Sequence, residues 1–284
     1  MEFRPTRFQV IPPVVKNLLI INALVFFATI VIGKLGFDIT ELLALHHWNS
    51  DKFRIWQLVT HLFMHGGNIH QPDEGFLHLF SNMFALWMFG AVLENRFGPK
   101  RFLTFYMLCG IGAALLYLGV LSFQFHQQYS AMAKFFVNPT YDQLIQYLQQ
   151  NHISENSVYG DVLYRIKAAW ARNPGSEMYA ANVTSSMKEY YAFLVDQSCV
   201  GASGAVFGIL FAFGYLFPNT LLYMYFLFPI KAKYFVGFYA LFELYAGIQN
   251  YEGDNVAHFA HIGGMIVAFI IIKYWNKTNR KNFY

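Results

Sequence analysis

The chain has 284 residues, of which 56% are hydrophobic and 13% charged, with a formal net charge of +4. Its length alone admits one or two soluble domains, but apolar windows of about 20 residues recur, long enough to cross a bilayer. These features predict an all-α, polytopic membrane protein. They exclude a nucleic-acid partner, because the small basic excess sits at the ends of apolar runs, as the positive-inside rule requires.

In chain order, the first predicted span covers about Val15 to Ile32, flanked by Arg4, Arg7 and Lys16 and ended by Gly33-Lys34-Leu35-Gly36. No small-residue cleavage site follows, so this run is expected to stay as a membrane helix rather than leave as a signal peptide. A long connection runs from Phe37 to about Gly75. Its aromatic and amphipathic stretch Phe53 to Val59 suits a membrane interface better than a crossing. Pro72-Asp73-Glu74-Gly75 reads as a turn and helix start. The second span is expected over Phe76 to Leu93 and the third over Phe102 to Phe123, joined by a short basic turn from Glu94 to Arg101.

From His126 to Gln197 the chain is polar and has no run long enough to cross. Tyr141 to Leu148 and Val158 to Trp170 have helical spacing, broken by Asn138-Pro139 and Asn173-Pro174-Gly175. This divides the chain into residues 1–122 with spans one to three, an extramembrane helical insertion at 123–198, and residues 199–284 with spans four to six. The insertion is open to three readings: a partner surface, a lid or a tolerated loop. The last three spans are expected over Gly201 to Phe217, Tyr234 to Ile248 and Val256 to Trp275, with an aromatic interfacial segment at Asn219 to Pro229. The two cysteines, Cys109 and Cys199, form neither a disulfide framework nor a metal motif.

Six spans put both termini on one side of the membrane. The basic residues at both termini, at 96–101 and at 231–233 then share one face, which should be cytoplasmic. On that topology Ser203, His261 and His78 all lie in the outer leaflet, at similar depth, on three different spans.

Polar side chains inside membrane spans are expensive and raise a functional hypothesis. A serine hydroxyl needs a base to take its proton, and a neutral imidazole can do so and later protonate the leaving amine. Ser203 and His261 are therefore the candidate nucleophile and base. Gly204 and Gly208 on one span, with Gly264 and Ala268 on the other, supply the small faces that let two helices approach closely. His78 and Asn82, four apart on one helix face, can each donate a hydrogen bond. With the Ser203 amide they are candidates for an oxyanion site. Glu243 lies in the fifth span, but nothing in the sequence places it beside His261, so a dyad is the simpler expectation, with Tyr239 or Tyr245 stacking on the imidazole. His46, His47, His61, His65 and His70 raise the thought of zinc, but the His-Glu-x-x-His pattern is absent and no metal site is expected. Paired aspartates for an aspartyl protease are also missing.

Gly201-Ala202-Ser203-Gly204, His78-Leu79-Phe80-Ser81-Asn82, Glu94-Asn95-Arg96 and Ala257-His258-Phe259-Ala260-His261-Ile262-Gly263-Gly264 fall in order on separate spans. With these motifs the chain resembles the rhomboid intramembrane serine proteases over most of its length outside the insertion. The resemblance implies a six-span bundle, Ser203 as nucleophile, His261 as general base, and His78, Asn82 and the Ser203 amide around the oxyanion. It implies that His258 is not the base, that substrates are single-span membrane proteins cut near the outer boundary, and that no cofactor is used. Two departures stand out. Trp56-Gln57 replaces the family's Trp-Arg ahead of Thr60-His61, which puts the anchoring of the first connection in question, and the insertion is longer than the usual link. The rival class is a catalytically silent rhomboid-like scaffold that binds transmembrane segments. The lack of a targeting extension points to a bacterial inner membrane, with both termini cytoplasmic and the active site opening to the outer side.

Overall fold

The structure, a computed structural model, describes residues 8–66, 72–224, 228–249 and 256–278. It is helical apart from short strand segments. The helices are α1 (Pro13–Lys34), α2 (Thr40–Leu43), α3 (Gln57–Thr60), α4 (Pro72–Ala85), α5 (Ala91–Phe97), α6 (Pro99–Val137), α7 (Tyr141–Gln150), α8 (Val158–Trp170), α9 (Glu177–Val195), α10 (Ser203–Leu216), α11 (Ala232–Gln249) and α12 (His258–Thr278). Among the described residues, four stretches are long and apolar enough to cross a membrane: α1, Gly75–Phe97, α6 and His258–Lys277; α10 is apolar but shorter. The protein is an integral membrane protein.

Two compact units emerge. The first holds Met1–Leu45, Arg54–Leu118 and Ser198–Tyr284, the second His46–Phe53 and Gly119–Gln197. In the first unit, lipid-facing side chains gain nothing from leaving lipid for protein, so close packing and internal hydrogen bonds must hold the helices together. Its core is aromatic and aliphatic, with Leu93, Phe102, Phe105, Tyr106, Ile209 and Ala268 fully or almost fully buried.

Local chemistry fixes the ends of the helices. Pro13 begins α1, and the open amides of Val14 and Val15 donate to the two carboxylate oxygens of Glu94, at 2.9 and 2.8 Å. Those amides have no partner within the helix, and an acid at the positive end of the helix dipole is favourable. This explains the acid of the Glu94-Asn95-Arg96 motif. Asn95 adds a reciprocal pair of bonds with the Gln9 backbone. A π-helical turn at Leu86–Gly90 joins α4 to α5. α5 stops at Gly98, whose φ of +80° suits glycine, and Pro99 opens α6.

Gln57, fully buried, takes up the anchoring duty that its replacement of arginine had left in question. Its side-chain oxygen accepts from the Arg54 amide at 3.2 Å, and its nitrogen donates to the Glu41 and Leu42 carbonyls at 3.3 and 3.4 Å. Thr60 adds a bond to the Leu43 carbonyl at 2.7 Å.

Several boundaries differ from expectation. The third span, predicted to stop at Phe123, is part of a helix that continues to Val137, because nothing breaks helical geometry before Asn138-Pro139. Within 221–231 two short strands pair antiparallel, Leu221 opposite Lys231 and Leu222 opposite Ile230. His70, Arg4, Arg7, Arg280 and Lys281, and most of the loop at 249–254, lie outside the described residues.

The second unit has its own core, built from Met132, Phe135, Leu144, Leu163, Trp170, Val183 and Met187. Thr140 caps α7 through the Gln143 amide and Ser157 caps α8 through the Gly160 amide. Tyr159 stacks flat on Tyr190 at 3.7 Å. Ser50 donates to Asp196 at 2.6 Å, and the His47 ring bonds the Ser122 hydroxyl.

Candidate active site

Ser203 is the first residue of α10, and the chain reaches it through Gly201, whose φ is +127°. A Cβ at Gly201 would sit 2.9 Å from His78 Cε1 and 3.6 Å from Ser203 Oγ. Only glycine allows that backbone angle without strain, and only glycine lets the His78 ring edge come this close to the serine. The Gly201 amide donates to the His61 carbonyl at 2.9 Å, which ties the approach segment to the first connection.

α10 lies between α6 and α12. A Cβ at Gly204 would meet the Ala113 methyl at 2.6 Å, one at Gly208 would meet Cys109 at 2.8 Å, and one at Gly264 would collide with the Gly204 carbonyl. The small faces therefore bring three helices together. The close approach carries the polar groups of α10 and α12 into reach: Ser203 Oγ lies 2.9 Å from His261 Nε2. His261 is 7% exposed.

The other imidazole nitrogen settles the tautomer. His261 Nδ1 lies 2.8 Å from Glu243 Oε2, and His258 Nδ1 lies 2.6 Å from the same oxygen. A carboxylate only accepts, so both Nδ1 atoms donate, and His261 Nε2 is left to accept the serine proton. Glu243 is buried on α11. No local spacing links Glu243 to His261; the signal in the sequence that points to it is the cost of an acid inside an apolar span, which demands a partner. One atom each of Glu243, His258 and His261 lies within 4.8 Å of the others, a cluster held together by these two hydrogen bonds.

The expected stacking partner also changes. Phe207, four residues after Ser203 and on the same helix face, lies parallel to the His261 ring at 4.0 Å and 4°. Tyr239 packs against Phe207 rather than against the histidine, at 5.0 Å, and Tyr245 is exposed. Geometry decides this: Phe207 follows Ser203 by one turn of α10.

His78 and Asn82 share one face of α4. The Asn82 amide nitrogen donates to the His78 backbone carbonyl at 2.9 Å, which occupies one of its two hydrogens. His65 packs edge-on to the His78 ring at 5.3 Å. His61 and His65 lie in the first connection. The His61 Nδ1 donates to the Gln57 carbonyl at 2.7 Å. Burial pushes the His61 ring down to about 4, and burial together with the His78 ring pushes His65 down to about 3.

The family model described as the Rhomboid domain matches residues 52–131 and 176–277, leaving out the middle of the second unit. RHOMBOID-like protein 12, mitochondrial, of Arabidopsis thaliana is 26% identical over 274 residues, covering 95% of this chain and 60% of that protein. An uncharacterised mitochondrial rhomboid protein of Schizosaccharomyces pombe is 25% identical over 220 residues, covering 76% of this chain and 49% of its own length. RHOMBOID-like protein 5 of Arabidopsis thaliana is 36% identical over 61 residues, 22% of this chain and 17% of that protein. The matched stretches thus cover 60% or less of the length of each of these relatives. Two of them are mitochondrial, and none supports the bacterial inner membrane expected from the sequence.

Proposed function

The chain belongs to the rhomboid family, and from that premise we propose that it is an intramembrane serine protease. The observation that carries this reading is the 2.9 Å contact between Ser203 Oγ and His261 Nε2, made between two helices by a nitrogen whose tautomer leaves it free to accept. His261 takes the Ser203 proton as the oxygen attacks a peptide carbonyl, then returns it to the leaving amine. The Ser203 amide at the start of α10, the His78 ring and the remaining Asn82 hydrogen are the donors proposed for the oxyanion, and such donors act strongly in a water-poor site.

In this reading α1, α4 with α5, α6, α10, α11 and α12 are six crossings, with both termini on the cytoplasmic side. α10 has 14 residues, roughly 21 Å at 1.5 Å per residue, against about 30 Å of hydrocarbon. A helix this short leaves one end below the membrane surface, and Ser203 is at that end. Substrates are single-span membrane proteins, whose helix must unwind to present a carbonyl to the serine. Residues 123–198 are proposed to be an extramembrane module, with no part assigned in the chemistry.

The test is to incubate the purified protein with a panel of tagged single-span substrates, beside Ser203→Ala. Cleavage by the wild type and none by the variant is expected. Cleavage that survives the substitution, or a wild type that binds the segments without cutting them, returns the chain to the scaffold class.

A further inference from the structure

Two carboxylates are buried among the described residues of the first unit, Glu94 and Glu243. Glu94 spends its oxygens on backbone amides of α1. Glu243 Oε2 accepts from two imidazoles, which lie three residues apart on α12. We infer that Glu243 is a positioning residue that extends the Ser203–His261 pair to a three-group relay, with His258 holding the carboxylate in place. The inference rests on the protease reading and deepens it.

The chemistry follows from the atoms. When Ser203 Oγ bonds to the substrate carbonyl carbon, its proton moves to His261 Nε2, and the ring becomes an imidazolium. That cation forms 2.8 Å from the Glu243 oxygen, in surroundings where opposite charges attract far more strongly than in water. When the leaving amine takes the proton, the ring returns to its neutral form with Nδ1 still donating. Glu243 therefore keeps the proton on Nδ1 throughout, touching neither substrate nor serine.

His258 answers the question of what holds a flexible glutamate there. Its Nδ1 donates to the same oxygen at 2.6 Å, from one turn away on the helix that carries His261. The flat contact of Phe207 on His261 restrains the ring from the side. The ring plane is set by one aromatic face and its rotation about that plane by one carboxylate.

A purely structural clamp between α11 and α12 would use the same contacts, so the test needs a kinetic split. Wild type, Ser203→Ala, Glu243→Gln, His258→Leu and His258→Asn are purified in detergent, and kcat, KM and thermal midpoint are measured on one cleaved single-span substrate. The relay predicts that Glu243→Gln lowers kcat by about 10²- to 10³-fold with KM within about twofold, because the amide can hold His261 in the wrong tautomer, the effect known from serine protease triads. His258→Leu lowers kcat about tenfold, and His258→Asn, whose amide can still donate to Glu243, recovers part of that loss. Should Glu243→Gln fail to fold, the two His258 variants carry the test alone. A Glu243→Gln enzyme with unchanged kcat, or His258 variants whose only effect is on the thermal midpoint, overturns the relay and leaves the protease reading intact. A Ser203→Ala protein as active as wild type overturns both.

Discussion

The Phe207 ring lies flat on the His261 ring, their centroids 4.0 Å apart and their planes 4° from parallel. A contact of this kind is worth about 0.5–1.5 kcal/mol beyond the area it buries, and here it restrains the imidazole that faces Ser203. Phe207→Leu should lower kcat about tenfold while leaving KM and fold unchanged, and Phe207→Tyr should stay near wild type. Cleavage rates on one substrate check this; equal loss in both variants would assign the residue to packing instead.

Gly201 combines a positive φ with close approach to His78. Gly201→Ala should cost about 1–3 kcal/mol from strain and overpacking, and should slow reaction at Ser203 more than it lowers the thermal midpoint. Measuring both on the same preparation separates damage to the site from damage to the fold.

The Glu94 carboxylate is a structural counterpart to these groups. Glu94→Gln keeps one acceptor for the α1 amides and loses the charge at the helix start; Glu94→Ala takes the acceptor from both, the part-buried Val14 amide and the buried Val15 amide. A loss of about 1 kcal/mol for the first and about 3 kcal/mol for the second is expected, read from thermal unfolding in detergent. Similar values for the two would mean that water replaces the carboxylate.

His61 and His65 give a pH dependence of stability. In an unfolded chain each ring titrates near 6.5, whereas the folded rings stay neutral down to about 4 and about 3. Below about pH 6.5 the unfolded state binds more protons, so stability falls as pH drops from there toward 4. The thermal midpoint should fall by several degrees between about pH 7.5 and about pH 5, and His61→Asn should flatten that slope. A midpoint independent of pH over this range would contradict the account.

Much of this arrangement is legible in the amino-acid sequence. The apolar runs gave the membrane helices because about 20 uninterrupted apolar residues have few other uses. Ser203 and His261 stood out because polar groups in such runs are costly, and the glycines four apart explained how their helices could meet. Glu243 was visible but could not be placed, since its partners are 15 and 18 residues away on another helix and no local spacing encodes that packing. Phe207 is hidden for the opposite reason: a phenylalanine in a chain with 31 of them carries no signal until the helix that it shares with Ser203 is seen to pack against His261. The reach of α6 to Val137 was missed because the apolar pattern ends before the helix does, and hydropathy marks the membrane, not the end of hydrogen bonding.

The most direct test of the central claim is reaction of the membrane-embedded protein with a serine-directed fluorophosphonate, followed by mass spectrometry of the adduct. A single adduct on Ser203, formed at least about 10²-fold more slowly in His261→Ala, is the result expected of a serine made reactive by that imidazole. An unlabelled Ser203, or one labelled equally fast without His261, would contradict it.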